Sequence, residues 1–436
     1  MKFKANIFYI VKKLIINKGF KKYFTNTAWL FTEKALKMLF SLFIGIWVAK
    51  YLKPIQYGLF NYVLSLVGLF AAITRMGLDN ILVRELVKGK HKENELLGTA
   101  FILKIGAGIV AVIVLTILSR FISKSNFEHI LVFIIAIAFI FQPFNVIEFF
   151  FQSKVLSKYI AYSNIITSSF SAIIKIGLIF LEAKLIWFAI VVVLDNIFLA
   201  ICYIYFYKNQ QKKLFKWVFN IELAKILLKD SWPLILSGIT FTLYTNIDKI
   251  IIKNMLGNYF VGEYAAASKF VLIWHFLPGV IINSFTPAII NAKKINIVLY
   301  YKRLKYLLGL LVFIATLIAL VLTVYSQQII QLTYGNDFLK AGNILKVLSW
   351  TNIMVFFSSG WNIWMIIENR TKITLFFQFS KTLLNIFFDI FFINNIGLIG
   401  AAYAILISTL IVHIVFPIFI KSQRTAINML FKMPLI

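Results

Sequence analysis

Long apolar stretches recur along almost the whole chain at short intervals, from Asn26 to Ile420. A helix needs roughly 20 apolar residues to cross a hydrocarbon core of ~30 Å, and the stretches have about that length. Of the 436 residues, 61% are hydrophobic and 14% charged, whereas a soluble chain is about half apolar and a quarter charged. Runs such as Leu131 to Phe141 are apolar on every face, which excludes the alternating pattern of a β-barrel. The sequence therefore predicts an all-α integral membrane protein.

The apolar stretches predict about twelve transmembrane helices, arranged as two parallel six-helix lobes around a central cavity. The predicted spans are 26–48, 57–77, 96–118, 130–151, 162–181, 185–206, 232–252, 262–290, 304–325, 341–363, 373–393 and 396–420. The predicted domains are an amphipathic cytosolic N-terminal segment (1–25), a first lobe (26–207), a basic cytosolic linker (208–230), a second lobe (231–420) and a cytosolic tail (421–436).

Positive charge is concentrated beside the spans. The net charge of +29 would suggest nucleic acid in a soluble protein, but most of the 45 Lys and Arg residues flank apolar stretches. If the N-terminus lies inside, the inner segments carry roughly four times as many of them as the outer loops. This pattern predicts a multi-pass protein of the bacterial cytoplasmic (inner) membrane with both termini in the cytosol. Its basic loops would contact membrane lipids and not nucleic acid.

The chain also repeats itself. A shift of 204 positions places Leu52 and Gly58 over Leu256 and Gly262 without a gap. Because the shift contains six spans, the two copies would enter the membrane in the same direction, as in transporters built from parallel repeats. Chance similarity among apolar helices is the alternative.

No catalytic signature is present. The four histidines, among them His275 and His413, show no metal-ligand spacing, and a single cysteine, Cys202, permits no intrachain disulfide. Neither a phosphate-binding Gly-x-x-x-x-Gly-Lys loop nor a Gly-x-Ser-x-Gly elbow occurs. We therefore predict a transporter without catalytic residues, metal or cofactor.

Ionisable residues inside the first span are the sharpest functional signal. Each charge near the centre of the bilayer costs ~2.5 kcal/mol or more and usually marks a pathway. Glu33, Lys34 and Lys37 lie about halfway along this span. Glu33 and Lys37 are four residues apart on one face, so they can pair. A purely structural ion pair is the alternative to a functional role.

The second lobe carries two further polar groups inside its spans. Lys269 and His275 lie in the eighth span and could face a cavity. Lys381, Asn385 and Asp389 recur at four-residue intervals and form one stripe along the eleventh span. Such a stripe is either a cavity lining or a seam that locks the bundle.

Other charges have equally plausible structural interpretations. Lys175 and Asp195 lie deep in neighbouring spans and are expected to pair. Arg75 with Asp79, and Asp248 with Lys249, lie nearer predicted span ends, where the cations can extend to the interface.

The excess of cations inside spans indicates an anionic cargo, because desolvated Lys and Arg bind phosphate or diphosphate strongly. A sugar linked through diphosphate to a polyprenol supplies such an anion. Prolines within spans, at Pro143, Pro233, Pro278 and Pro417, provide breaks at which helices can bend.

Scattered residues in both halves resemble the Wzx-type polysaccharide biosynthesis (O-antigen flippase) family, in the superfamily that includes MATE-type multidrug exporters and the lipid II flippase. The matching residues of the second half are Ser231-Trp232-Pro233, Tyr244, Asp248, Leu256-Gly257, Tyr259, Val261-Gly262, Tyr264 and Ala267. Those of the first half are Leu52, Pro54, Tyr57-Gly58, Phe60-Asn61, Gly77-Leu78-Asp79, Arg84-Glu85, Phe150, Gln152 and Lys158. The resemblance covers the chain after about Thr25. It departs at Lys53, where the family commonly has glycine.

This resemblance implies a twelve-helix flippase that moves undecaprenyl-diphosphate-linked oligosaccharide from the inner to the outer leaflet. Cavity cations are thought to hold the head group in this family, and Lys34, Lys37 and Lys269, with Arg75 as a weaker fourth, are the matching positions. A polymerase of the same pathway is a candidate partner.

Coupling and rival functions stay open at this stage. Membrane potential, or counterflow of protons or sodium through Asp79, Asp248 or Asp389, could help to drive transport. The rivals are a multidrug exporter of the same fold and an envelope glycan polymerase or ligase. The mainly positive first span disfavours the exporter, and short outer loops disfavour the enzymes.

Overall fold

A computed structural model describes residues 18–123, 125–420 and 423–424. These residues form helices and short connections, and no strand occurs among them. In lipid each backbone N–H and C=O must be paired within the protein, and a helix does this within one segment. The prediction of an all-α membrane protein is confirmed.

The first half of the chain consists of long helices separated by short helical pieces. The helices are α1 (Lys18–Gly68), α2 (Ala71–Arg75), α3 (Asp79–Lys88), α4 (Glu93–Ile122), α5 (Asn126–Ala136), α6 (Ala138–Phe141), α7 (Val146–Ser153), α8 (Ser157–Phe180) and α9 (Leu185–Asn209). A 3-10 turn, Gln142–Asn145, joins α6 to α7, and another spans Leu214–Lys216.

The second half has the same character. Its helices are α10 (Ile221–Met255), α11 (Asn258–Leu272), α12 (Leu277–Ile295), α13 (Ile297–Val324), α14 (Ser326–Tyr334), α15 (Leu339–Leu348), α16 (Thr351–Ile367), α17 (Thr371–Ile396), α18 (Ile399–Leu410) and α19 (Phe416–Phe419). Two 3-10 turns, Ile273–Phe276 and Asn336–Phe338, and a π-helical turn, Ile411–Val415, interrupt them.

Ten helical segments of the described chain are long and apolar enough to span a membrane, and two features account for the difference from twelve. The first two predicted spans form one segment, Thr25–Gly68, with a kink at Lys53. The tenth predicted span, 341–363, divides between α15 and α16, each shorter than a full crossing. Within the second predicted span, 57–77, α1 ends at Gly68 and the short helix α2 follows it.

The chain packs as two compact units. The first contains the described residues up to Gly45 together with Phe70–Ile239, and the second contains Ile46–Leu69 together with the described residues from Thr240 onward. The sequence-based lobes, 26–207 and 231–420, and the linker, 208–230, stay predictions. Most of the predicted N-terminal segment (1–25) and tail (421–436) lies outside the described residues.

Each unit has its own core, in which large aromatic residues are prominent. In the first unit Phe150, Phe151 and Tyr203 are almost fully buried among aliphatic side chains. In the second unit Trp361 stacks on Trp364 with ring centroids 4.8 Å apart. Tight packing and polar pairing hold helices together in lipid, because the tails are as apolar as leucine and water-driven burial contributes little between helices.

Two glycines that the sequence repeat relates, Gly58 and Gly262, mark a very close contact between helices of the second unit. A Cβ on Gly58 would lie 1.8 Å from the carbonyl oxygen of Asn258, and one on Gly262 would lie 2.1 Å from that of Pro54. The two glycines are 204 positions apart in the sequence, and so are the two residues that they face, Pro54 and Asn258. The residues that precede them repeat as well, since Lys53 (φ 59°) and Gly257 (φ 99°) both have positive φ. The sequence repeat is thus reflected in backbone geometry.

Three of the four prolines expected to break spans lie at such breaks. Pro143 lies in the 3-10 turn before α7, Pro278 follows the 3-10 turn before α12, and Pro417 follows the π-helical turn. In contrast, Pro233 lies within the continuous helix α10.

Candidate functional site

The first unit encloses a polar cavity of about 730 Å³. One face of α1 forms part of its wall, because Asn26, Leu30, Glu33, Lys34 and Lys37 are spaced three or four residues apart and so lie above one another on the helix. The rest of its lining is Arg75, Val83, Phe141, Gln142, Phe144, Asn145, Glu148, Gln152, Ser157, Ile160, Asn164, Asn196, Leu199, Ala200 and Tyr203.

Four predicted site residues therefore share this cavity: Glu33, Lys34, Lys37 and Arg75. The expected pairing of Glu33 with Lys37 does not occur, since no ion pair joins them among the described residues. The Lys37 amine instead donates to Asn164 Oδ1 at 3.4 Å. Successive residues of one helix face are close, but side-chain rotamers can direct them to partners on other helices.

The three cations have no carboxylate within ion-pairing distance in the part of the chain that the structure describes. The side chains of Lys34, Lys37 and Arg75 are exposed, and they line this cavity. Two carboxylates, Glu33 and Glu148, share the wall. With all five groups ionised, the cavity carries one net positive charge and keeps its cations available to an anionic ligand.

Glu148 is a cavity residue that our sequence interpretation missed. Tyr203 donates to its Oε2 and Gln152 to its Oε1, both at 3.0 Å. The signal was present, because Glu148 is an ionisable residue inside the fourth predicted span. The 3-10 turn at Pro143 then brings Asn145 onto the same wall.

Our sequence interpretation also missed Lys104, an ionisable residue inside the third predicted span that pairs with Asp79. Its amine is 2.8 Å from Asp79 Oδ1 and 3.1 Å from Asn145 Oδ1, and its side chain is 1% exposed. Asp79 therefore pairs with Lys104 and does not line the cavity. The expected pair of Lys175 and Asp195 is present, at 3.5 Å.

The second unit contains a separate cavity of about 400 Å³. Two predicted residues, Asp248 and Lys381, line it, and so does Lys249. His275 and His413, which appeared unrelated in the sequence, both face it as well. Asp248 is buried inside the protein, at 5% exposure.

Asp248, Asn385 and Asp389 form a buried hydrogen-bonded cluster. Asn385 Nδ2 donates to Asp248 Oδ1 at 2.7 Å and to Asp389 Oδ2 at 2.8 Å. Tyr264 donates to Asp248 Oδ2 at 2.7 Å, and Ser408 donates to Asn385 Oδ1 at 3.3 Å. The two bonds from one nitrogen keep the two carboxyl oxygens within 5.5 Å of each other. The stripe on the eleventh predicted span thus contributes to a defined polar cluster.

Lys269, the remaining predicted cavity cation, lies near an aromatic ring. Its amine lies 5.6 Å from the centre of the Tyr57 ring, and it lines neither of the cavities described above. Sequence position gave its depth in the membrane but not the direction of its side chain.

Comparison with known proteins identifies a sequence family. A family model described as "polysaccharide biosynthesis protein" matches residues 24–293. No curated protein matches the sequence.

Solved structures share the fold at low sequence identity. A MATE-family multidrug resistance transporter of the MOP superfamily, in an inward-facing conformation, has a TM-score of 0.69 at 16% identity, covering 91% of this chain and 96% of its own. The lipid II flippase MurJ, inward closed, has a TM-score of 0.67 at 17% identity, covering 94% and 90%. A MOP superfamily transporter from Pyrococcus furiosus, whose binding pocket has reverse polarity, has a TM-score of 0.59 at 15% identity, covering 94% of this chain and 96% of its own.

These likenesses establish the fold of a multi-pass membrane transporter. The family model matches more than half of the chain, which confirms the predicted polysaccharide biosynthesis family, and the solved structures confirm the predicted fold.

Proposed function

We propose that this chain, which belongs to the polysaccharide biosynthesis protein family, is a flippase for undecaprenyl-diphosphate-linked oligosaccharide. The cargo would be an O-antigen or capsular repeat unit that passes from the inner to the outer leaflet. The observation that carries the proposal is the first-unit cavity, in which Lys34, Lys37 and Arg75 face open space without an ion-pair partner among the described residues.

The chemistry of this cavity suits a diphosphate. A diphosphate spreads negative charge over several oxygens, and Lys and Arg bind such groups through short, charge-assisted hydrogen bonds. A cavity surrounded by protein and lipid has a lower dielectric constant than water, which strengthens each of these contacts. The amides of Asn145, Asn164 and Asn196 add donors and acceptors for sugar hydroxyl groups.

Alternating access would move the head group across the membrane. The head group enters the cationic cavity from the cytosol while the prenyl tail stays in lipid, and a conformational change then exposes the head outside. Each charge that crosses 100 mV is worth ~2.3 kcal/mol. Outward movement of a dianion from an inside-negative cell is therefore favoured by roughly 4 to 5 kcal/mol at 100 mV.

Substitution of the cavity lysines tests the proposal. In cells made dependent on this protein for surface glycan, Lys34→Ala and Lys37→Ala at normal abundance should lower export at least tenfold. Lipid-linked repeat units should accumulate on the inner leaflet. Lys50→Ala is the matched control, because Lys50 is an exposed residue of the same helix that lines neither cavity. Undiminished export by both cavity variants would contradict the assignment.

A multidrug exporter is the second candidate, and Glu33 and Glu148 are the observation that favours it. An organic cation would need a carboxylate in its binding site, and both residues line the first-unit cavity. The two functions differ in a direct assay. An exporter would raise resistance to cationic drugs in a sensitive host, and Glu148→Gln would abolish that resistance, whereas a flippase would leave the host's resistance unchanged.

Ion coupling, if present, would use the Asp248, Asn385 and Asp389 cluster. Two negative charges this close repel each other, so a small cation that passes between them would be stabilised. Oxygen ligands also suit sodium. In proteoliposomes, an imposed sodium or proton gradient should accelerate transport by the wild type but not by Asp389→Asn. Equal acceleration of both would exclude the cluster as the coupling site.

The proposed location is the bacterial cytoplasmic membrane, with both termini in the cytosol. The Lys and Arg asymmetry supports this orientation. Reporter fusions at the two ends of the chain should both read as cytosolic, and a periplasmic signal from either would reverse the assignment. A polymerase of the same pathway is the proposed protein partner, to be sought by crosslinking in the membrane.

A further inference from the structure

The second-unit cavity has a cationic wall that the proposed function does not use. Lys249 and Lys381 both line it, and neither forms an ion pair with a carboxylate of the described residues. A cation without a counter-ion is costly at membrane depth, so such residues usually serve a ligand or a pathway. The charge of this wall therefore needs an explanation of its own.

The one carboxylate on the described wall of this cavity, Asp248, faces two lysines. Asp248 accepts hydrogen bonds from Tyr264 and Asn385, at 2.7 Å each. Its negative charge also attracts the neighbouring Lys249, but one carboxylate cannot balance two lysines, so the wall keeps one net positive charge when all three groups are ionised. A ligand in the cavity would meet mainly positive charge.

The uncharged part of the wall has the character of a carbohydrate site. The amides of Asn362 and Gln378 can each donate and accept, which matches the hydroxyl groups of a sugar. The Nδ1 atom of His413 is buried and has no hydrogen-bond partner among the described residues. An unpaired polar atom in an apolar interior costs free energy, so a polar group brought by a ligand would stabilise it.

An aromatic surface completes the wall. Tyr244 and Phe377 both line the cavity, and the Lys381 amine lies 3.5 Å from the centre of the Tyr244 ring. The C–H groups of a sugar ring can pack on such a face, while the amine, held at the ring, is positioned for an acidic group. A site for a hydrophobic drug would not require this number of amide and imidazole groups.

We propose that the second-unit cavity is a binding subsite for an acidic sugar residue of the translocated glycan. Lys249 and Lys381 would neutralise the carboxylate, Asn362 and Gln378 would hold hydroxyl groups, and Tyr244 would support the ring. This proposal rests on the proposed function, because it concerns the cargo of the same flippase. It makes the second unit a determinant of which glycans are accepted.

Transport of two matched carriers tests the subsite. Purified protein in proteoliposomes is given undecaprenyl-diphosphate trisaccharides that differ only in one residue, a uronic acid or the corresponding neutral hexose. Lys381→Gln should lower the rate for the acidic carrier at least tenfold and change the rate for the neutral carrier less than twofold. Lys346→Gln, at an exposed position of the same unit that does not line this cavity, is the control and should change neither.

The outcomes separate the two proposals. If Lys381→Gln slows both carriers equally, its amine serves the shared diphosphate and the acidic-sugar assignment is overturned. If it slows neither, the subsite does not exist. If the wild type moves neither carrier, the flippase function itself fails.

Binding without transport gives a second measurement. A soluble uronic-acid trisaccharide, which has neither lipid nor diphosphate, should raise the melting temperature of the wild type in detergent. The neutral trisaccharide should raise it less, and Asn362→Ala together with Lys381→Gln should remove the difference. Equal shifts for the two sugars in the wild type would overturn the assignment.

Discussion

Alanine at Gly58 or Gly262 should destabilise the second unit, although alanine normally favours a helix. The new Cβ would lie 1.8 Å from the Asn258 carbonyl oxygen in the first variant and 2.1 Å from the Pro54 carbonyl oxygen in the second. Real Cβ atoms essentially never approach closer than 3.0 Å. The backbones must therefore separate by about 1 Å, because neither obstacle is a side chain that can rotate away.

The cost follows from packing. Overpacking of this kind costs typically 1–3 kcal/mol, and a backbone obstacle puts it near the upper end. The gain in helix propensity offsets at most ~1 kcal/mol of this. We expect a net loss of about 2 kcal/mol for each variant, equivalent to a fall of roughly 4 to 8 °C in melting temperature for a unit of this size.

Thermal unfolding in detergent, followed by intrinsic fluorescence, measures the effect. Gly309→Ala is the matched control, since a Cβ there meets nothing within 4 Å and the residue also lies in a long helix of the second unit. Its melting temperature should stay level or rise. If Gly58→Ala and Gly262→Ala melt at or above the wild-type temperature, the backbones do not touch as described and the reasoning is refuted.

Three further predictions concern charged and polar positions. Lys53→Gly should stabilise the protein by about 1 kcal/mol in the same assay, because φ 59° and ψ 166° suit glycine. The exposed ion pair with Asp337 that is lost contributes little. Lys53→Ala should not stabilise the protein. Lys104→Met should destabilise it by about 3 kcal/mol, since Asp79 loses its partner, and adding Asp79→Asn should restore part of the loss. Asn385→Leu should cost about 2 kcal/mol or more in chemical denaturation, because two buried carboxyl groups lose their common donor, whereas an unchanged midpoint would contradict the hydrogen bonding.

Helix positions could be predicted well from the sequence, and helix interruptions could not. Apolar length sets where a chain crosses lipid, so most predicted spans coincide with long helices. The break between α15 and α16 falls at Ser349 and Trp350, where the sequence stays apolar enough to suggest one continuous span. Packing against neighbouring helices decides such a break, and hydropathy contains no record of it.

The candidate site was predictable in part for the same reason. Lys34 and Lys37 could be found because both the cost of charge in lipid and the helical repeat are local properties. Applied without exception, the same rule would also have found Lys104 and Glu148. It could not have shown that the Lys269 amine lies near the Tyr57 ring and lines neither cavity.

The sequence by itself determined that this is a polytopic helical membrane protein with charge at membrane depth and a repeat of 204 residues. These properties depend on composition and on spacing along one helix. Only the tertiary structure decided that Arg75 and Glu148 share a cavity with the first-helix lysines. It also decided that Asp79 pairs with Lys104 and that two histidines far apart in the sequence line one cavity. The physical reason is that these contacts depend on how helices far apart in the chain pack against each other. The fit of side chains across such an interface leaves no periodic pattern in the sequence.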